Sequence, residues 1–494
     1  MAVEYVADFE TTAVRVYDIK TRKLSREHSS TWVCAWALIP VEQDPDPEHI
    51  RRGRTLDSFM AAVAALWQQV PRMGKQKKRK LTVFTHNLKF DGDFIMWWLL
   101  HGHGEIVNEV RENVLYSFTA RWSGVEVTFR DSLKIFPQSA AKLGELYGIP
   151  KLKGEWDYGK YRTPETPISA EEWAYVDHDV MIISRAMADY RRQGYMENTQ
   201  AAIAYNDRLR RTYPKFRKIL AMPLKKSNWE AFRDRFPREI RPLPYELHKH
   251  LMLGYFGGIS YLNPLHARKD IESAHSFDVH SMYPDKMANY PLPVGDPLVI
   301  DNPTQAEAWR LINNYPCVMA DWSGLTVRLR SPDHFPALMF PTVPQTSVRM
   351  EGKIIRCRDE APTLTGLDCR IMASEYAIES GTVTRVYLFR SRIGQYREFV
   401  AYWMTIKQDA DRILNSPDAS ETDRSSARTR RALAKVMMNS SYGKDGTKLL
   451  RMPHRTYLSD ADQLESSIEV ELSDIEYYMP SAIFICAWGR WQLW

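Results

Sequence analysis

Cysteine is scarce and scattered in this 494-residue chain: Cys34, Cys317, Cys357, Cys369 and Cys486, with no CxxC pair among them. That speaks against a thiolate zinc site, and an odd, dispersed set suits a reducing cytosol rather than a disulfide framework. Long membrane-spanning runs are missing too. The apolar stretch Phe94 to Leu100 lies between Asp93 and His101, far short of the ~20 residues a bilayer crossing needs. The first ten residues hold Glu4, Asp8 and Glu10, so the N-terminus does not read as a signal peptide. No internal repeat or low-complexity tract is evident. The expectation is a cytoplasmic protein with no membrane role and about three domains.

Aromatic residues are plentiful, with 15 Trp and 25 Tyr, and the formal net charge is +6. Both features suit a polyanionic partner, although a core uses aromatics equally well. Lys75 to Lys80 and Arg208 to Lys218 are basic clusters. Each reads by default as a solvated loop or helix face.

The pattern predicts strands over Val3 to Ala7, Ser30 to Leu38 and Leu81 to Thr85. It predicts a helix over Asp93 to Leu100. A hairpin pair, Val114 to Phe118 and Val125 to Phe129, flanks Trp122-Ser123-Gly124. Pro167 to Tyr190 reads as a helix with Ser169 as its cap and Glu171 and Glu172 in its first turn. Strands interleaved with helices over this stretch predict one mixed α/β domain. Asn415 to Ser426 is polar and reads as a loop between two helices.

Three segments place carboxylates where a metal site needs them. Asp8 and Glu10 are two residues apart at the end of a strand, so they share a face. Asp91 follows the third strand, in HNLKFDGDF. Asp179 lies on the late helix with Tyr175 one turn earlier. Hard divalent ions such as Mg²⁺ or Mn²⁺ take oxygen ligands, and two of them can activate a water and stabilise a leaving oxygen in phosphodiester cleavage. Any one of these acids alone reads as a turn or helix cap. The ordered set DFETT, HNLKFDGDF, YVDHD is far more specific.

Those strings resemble the exonuclease motifs of family B DNA polymerases, most closely the protein-primed branch of bacteriophages and linear plasmids. The resemblance implies an RNase H-like 3′–5′ exonuclease domain with Asp8, Glu10, Asp91 and Asp179 as metal ligands and Tyr175 assisting. It implies single-strand contacts at Thr11, His86, Asn87, Phe90, Ser132 and Leu133. In KLKGEWDY, Lys153 matches a further catalytic lysine and Tyr158 a DNA contact. Asp93 is an added acid with no role assigned.

Further along, Tyr255-Phe256-Gly257-Gly258 resembles the Tyr-x-Gly-Gly link of the family, which implies DNA contact by Tyr255, Gly257 and Gly258. A strand-like stretch delivering Asp278, followed by a turn at Pro284, is predicted in SFDVHSMYP. That string is similar to the first polymerase motif, with Asp278 as metal ligand and Tyr283 beneath the sugar. Over Arg431 to Gly443 a helical wheel puts Arg431, Lys435, Met438 and Tyr442 on one stripe with Asn439 beside it. KxxxNSSYG resembles the second polymerase motif, implying that Arg431 and Lys435 meet the triphosphate and that Asn439 and Tyr442 line the nascent pair. Lys407 matches another nucleotide-binding position.

The resemblance implies an α/β multidomain chain: exonuclease over 1–193, first part of a right-hand palm over 194–298, an insertion resembling terminal-protein region 1 over 299–392, fingers over 393–446, a second insertion over 447–480, and the start of a returning palm helix over 481–494. The Tyr-x-Asp-Thr-Asp string is not in the sequence, so the last palm strand and the thumb are expected to be missing and only the exonuclease site complete. The implied partners are primer–template and single-stranded DNA, deoxynucleoside triphosphates and a terminal protein primer, in the cytoplasm of a bacterial host. The competing expectation is a non-catalytic DNA- or terminal-protein-binding replication factor.

Overall fold

A computed structural model describes residues 3–14, 30–72, 78–111, 114–152, 156–214, 233–260, 269–270, 273, 279–340, 346–350, 352–447, 450–451, 453–469, 471–472 and 477–494. It divides into two compact units. One holds Met1–Ile203, Gln408–Leu433 and Leu450–Leu472, and the other Ala204–Lys407, Ala434–Leu449 and Ser473–Trp494.

The first unit is built on a seven-stranded mixed sheet. Its strands are β1 (Val3–Val14), β2 (Ser30–Pro40), β3 (Arg51–Gly53), β4 (Leu81–Thr85), β5 (Glu105–Arg111), β6 (Leu115–Trp122) and β7 (Val125–Asp131), in the spatial order β3-β2-β1-β4-β7-β6-β5. The β1–β4 and β4–β7 pairings are parallel and the rest antiparallel. All five residues of β4 are buried, as expected of a central parallel strand covered on both faces. Helices α1 (Leu56–Gln69), α2 (Leu88–Trp98), α3 (Ala140–Tyr147) and α4 (Ala170–Arg192) complete the layers. Phe9, Trp36, Phe59, Val83, Ile95, Phe118 and Phe129 belong to one buried core.

Several expected elements prove longer than their apolar runs. β1 continues through Asp8 and Glu10 to Val14, and α2 begins at Leu88 rather than Asp93. Helices α1 and α3 and strand β5 carried no expectation. For α4, Ser169 and Glu172 form a reciprocal capping box, which satisfies two otherwise orphaned N–H groups.

In the second unit the central feature is an antiparallel sheet of β8 (Pro291–Asp301), β9 (Val318–Leu329), β10 (Val348–Met350), β11 (Lys353–Glu360), β12 (Thr363–Thr365) and the 18-residue β13 (Tyr376–Ile393). Its main path runs β10-β11-β9-β13-β8, and β12 pairs with β9. Ile312, Trp322, Leu325, Met372, Tyr376 and Val386 share its core. Among the described residues the remaining α-helices of the chain are α5 (Gln200–Thr212), α6 (Tyr245–Leu251), α7 (Met282–Asn289), α8 (Gln305–Asn314), α9 (Gly366–Glu375), α10 (Arg397–Asn415), α11 (Glu421–Asp445) and α12 (Met479–Leu493).

Two expectations are corrected here. Pro284 does not turn the chain; it sits in the first turn of α7, where its missing N–H costs no hydrogen bond. The loop expected to reach Ser426 ends earlier. Ser420 accepts from the Asp423 N–H, a side-chain cap strong enough to start α11 within a polar sequence.

Arg208 on α5 and Asp445 at the end of α11 form a buried ion pair, Nη2 to Oδ2 2.7 Å. The guanidinium also lies over the rings of Tyr205 and Tyr396. Removing one member strands a desolvated charge. Arg208→Met is therefore expected to cost about 3–5 kcal/mol in urea unfolding, while the double change Arg208→Met/Asp445→Leu recovers most of it.

Candidate functional site

Glu10 follows Asp8 by two residues on β1, and a register shift against β2 comes directly after it, between Glu10 and Thr11. The bulge bends the strand away once both carboxylates have been presented on one face. Asp179 arrives from α4. One carboxylate oxygen from each of Asp8, Glu10 and Asp179 lies within 4.8 Å of the other two. Asp91, one turn into α2, is 2% exposed and adds to the field on Asp8. Asp8 and Asp91 lie beyond the C-terminal end of the parallel β1–β4 pairing, which runs Val3–Val6 beside Leu81–Phe84, on the side of the sheet where open α/β folds place their ligands. A cavity of about 890 Å³ at the opposite ends, lined by Glu4, Leu81, Arg130 and Arg191, holds none of them.

Burial is the largest cause raising each of these acids, and neighbouring carboxylates add to it at Asp8, Glu10 and Asp91. Burial pushes Asp91 to about 8 and Glu10 to about 7, with Asp179 adding to the shift of Glu10. Asp8 is held well above the carboxylate range by burial, Asp91, Asp179 and Glu10. Asp179 is raised by burial and opposed by Lys151, whose Nζ stands 2.5 Å from Oδ2. Among the described residues, the buried Oδ1 atoms of Asp91 and Asp179 have no hydrogen-bond partner. Clustered carboxylates with unspent lone pairs are a donor set that fits hard divalent cations.

Two phenols close the site. Tyr158 Oη is 3.5 Å from Glu10 Oε1 and 3.4 Å from Tyr175 Oη. Burial raises both phenols, so both keep their protons at neutral pH. The Lys151 ammonium lies over the Tyr175 ring. Arg162, fully buried, fixes the segment that presents Tyr158. It donates to Asp157 O (2.7 Å) and Lys160 O (3.1 Å), pairs with Glu172 (2.6 Å) and covers the Trp156 ring.

The expected single-strand contacts gather around the β4–α2 corner. Asn87 adopts a left-handed conformation, φ 93°, and donates its N–H to Asp131 Oδ1. The same oxygen accepts from Leu133 N. His86 joins Ser132 Oγ (3.0 Å) to the Gln138 carbonyl (2.8 Å), and burial lowers its pKa. Phe90 is 44% exposed, and Thr11 lies on the bulge of β1. Asp93 sits 3.6 Å from Arg111. Lys153 lies outside the described residues; Lys151 is the lysine seen at Asp179.

A second cluster lies in the other unit. Tyr283 of α7 and Tyr442 of α11 have ring centroids 5.0 Å apart. A Cβ on Gly258 would stand 2.5 Å from the Tyr283 hydroxyl, so any larger residue there must displace that hydroxyl. Lys407 reaches Ser281 Oγ (3.0 Å) and His280 Nε2 (3.2 Å), beside the segment that follows Asp278, itself outside the described residues. Lys435 is exposed and Asn439 half-buried on α11. Within the first unit, Arg431 is paired with Asp411 at 2.5 Å. A Cβ on Gly446 would stand 2.5 Å from the Tyr255 ring.

Residues 73–490 match the model of the family described as DNA polymerase type B, organellar and viral. The chain belongs to that family. The DNA polymerase of Bacillus phage Nf is 26% identical over 467 residues, 90% of this chain and 70% of that protein. For Bacillus phage phi29 the identity is 25%, over 99% of this chain and 75% of the relative. For Streptococcus phage Cp-1 it is 24%, over 99% and 78%. The solved phi29 DNA polymerase with primer-template DNA and incoming nucleotide substrates matches at TM-score 0.75 and 23% identity, covering 99% of this chain and 76% of that one. Its complex with single-stranded DNA matches at TM-score 0.72. This polymerase chain stands with the protein-primed viral branch of family B.

Four supporting residues of the polymerase escaped the sequence reading. Arg162 and Asp131 are two of them. The others are Arg490 and Asp368, a buried pair on α12 and α9. Through Nη1, Arg490 also donates to the carbonyls of Phe256 (2.7 Å) and Gly257 (3.0 Å). Asp131 reaches Asn87 across 44 residues and Arg490 reaches Asp368 across 122, so no local pattern signals them; Arg162 acts nearer, but mainly on backbone carbonyls, which the sequence does not mark.

The raised acids set a pH dependence. With folded values near 7 for Glu10 and 8 for Asp91, above their unfolded values, the cation-free protein is favoured at low pH. It loses that stability as pH rises through the folded values. In chelator, the thermal midpoint should fall from pH 6 to pH 8. Asp91→Asn should shrink that fall, and added Mg²⁺ should raise the midpoint more at pH 8 than at pH 6.

Proposed function

We propose that this chain is a protein-primed DNA polymerase of phage or plasmid type whose first unit is a 3′–5′ proofreading exonuclease. The observation that carries this reading is the convergence of Asp8, Glu10 and Asp179 within 4.8 Å, with Asp91 buried beside them. These four carboxylates would hold divalent cations, Mg²⁺ or Mn²⁺. When bound, such ions neutralise phosphate charge and lower the pKa of a coordinated water.

The protein's own groups do the rest. Tyr175 and Tyr158 keep their phenolic protons and orient a water or phosphate oxygen by hydrogen bonding. Lys151 balances Asp179. Lys153 is assigned a catalytic role by family pattern alone. Phe90 offers an exposed ring to an unpaired base, and Thr11, His86, Asn87, Ser132 and Leu133 line the path of the strand.

The domain scheme of exonuclease (1–193), palm (194–298), first insertion (299–392), fingers (393–446), second insertion (447–480) and returning helix (481–494) belongs to the same proposal. Tyr283 and Tyr442 form the floor for a nucleotide, supported by their ring contact. Asn439, Lys435, Arg431 and Lys407 serve its base and phosphates, and Asp278 a metal. Tyr255, Gly257 and Gly258 would touch template DNA. A terminal protein is the proposed primer, and the host cytoplasm the place of action.

The test uses the purified chain, a 5′-labelled single-stranded oligonucleotide and Mg²⁺, with Asp8→Ala as the control. Stepwise shortening from the 3′ end is expected, and Asp8→Ala should slow it by at least about 10³-fold. Equal rates in the two proteins would overturn the nuclease reading in favour of a binding factor.

A further inference from the structure

The face of α2 beside the carboxylates carries more aromatic surface than the proposed single-strand contacts use. Phe90, Phe94 and Trp97 follow at i, i+4 and i+7, which confines them to a sector of about 60° on the helix. Asp91 lies about 100° round from Phe90 and is buried at the site. Phe90 and Trp97 are 44% and 42% exposed. Phe94 is half-buried, packed against the core and edge-on to Phe90 at 5.5 Å. Beyond it the His101 ring lies against Trp97, tilted by 38° with centroids 3.7 Å apart. His101 is held in turn by Trp97 O (2.7 Å) and Asp462 Oδ1 (2.6 Å). Single exposed aromatics are ordinary. A continuous row of them that starts at a phosphodiester-cleaving site is not.

We propose that this face of α2 is a stacking rail for the unpaired strand leading 5′ from the nuclease site, with Trp97 its outer platform. The proposal rests on the nuclease reading. Continuity with the carboxylate site argues for single-stranded DNA as the occupant, because a 3′ end seated at Asp91 leaves its neighbouring bases at Phe90. Lys89 is exposed at the near end, and the acids along the face are paired: Asp93 and Glu109 with Arg111, and Asp462 with His101. Phe90 to Trp97 spans about 10 Å of helix, the length of about three stacked bases. Aromatic platforms accept any base, because every base has a π-face.

The test compares 5′-labelled oligodeoxynucleotides of three, six and twelve residues as substrates in Mg²⁺. For the full wild-type chain, kcat/KM should rise roughly tenfold from trimer to hexamer and little further at twelve. Trp97→Ala should remove most of that rise, and Trp97→Phe should keep it. A Trp97→Ala protein with the wild-type ratio between hexamer and trimer overturns the rail. The inference and the nuclease reading are separated by anisotropy in chelator, with Asp8→Ala and Asp8→Ala/Trp97→Ala on the same hexamer. If the wild type cleaves nothing, weaker binding by the double variant still supports the rail, and equal binding overturns it.

Discussion

Four carboxylates that repel one another are gathered in one place, and much of the first unit is arranged to hold them there. Left without cations, Asp8, Glu10, Asp91 and Asp179 are all raised above the ordinary carboxylate range by burial first; neighbouring carboxylates add to the rise at Asp8, Glu10 and Asp91, and Lys151 opposes it at Asp179. An arrangement of this kind stores unfavourable energy that a divalent cation relieves. The cluster therefore reads as a site awaiting charge rather than a set of structural caps.

The scaffold meets that repulsion with rigid parts. Asp8 and Glu10 ride a strand paired on both sides, and the bulge after Glu10 ends their presentation. Asp179 sits on a 23-residue helix anchored by a capping box. Asp91 depends on a corner tied by Asp131, which receives N–H groups from Asn87 and Leu133. Lys151 supplies a positive charge, and Arg162 pins the segment carrying Tyr158. In the second unit the same device recurs: Arg490 and Asp368, buried together, hold the backbone around Phe256 and Gly257.

The sequence disclosed the chemistry more readily than the scaffold. Strand β4 was legible to the residue because five buried residues bounded by polar ones leave little choice. α4 was legible from Ser169 and the acids of its first turn. The acids themselves stood in strings specific enough to suggest both their company and a family. Strand β5 was not legible, since its exposed positions leave no steady alternation. The start of α11 hid in a polar stretch where one serine cap decides the boundary. Asp131 and the Arg490–Asp368 pair were invisible because their partners lie far away in sequence, and Arg162 because it works largely on backbone carbonyls. The exposed Trp97 was passed over for a related reason: within an apolar run, burial is the default expectation.

The central claim is that these carboxylates form a cation site, and cation binding with its accompanying protons tests it most directly. Mg²⁺ or Mn²⁺ would be titrated calorimetrically into the chain at pH 7, in buffers of different ionisation enthalpy. With Glu10 near 7 and Asp91 near 8 before binding, the account predicts that binding expels protons into the buffer and that Asp179→Asn weakens it. Binding without proton release, or none at all, would contradict it.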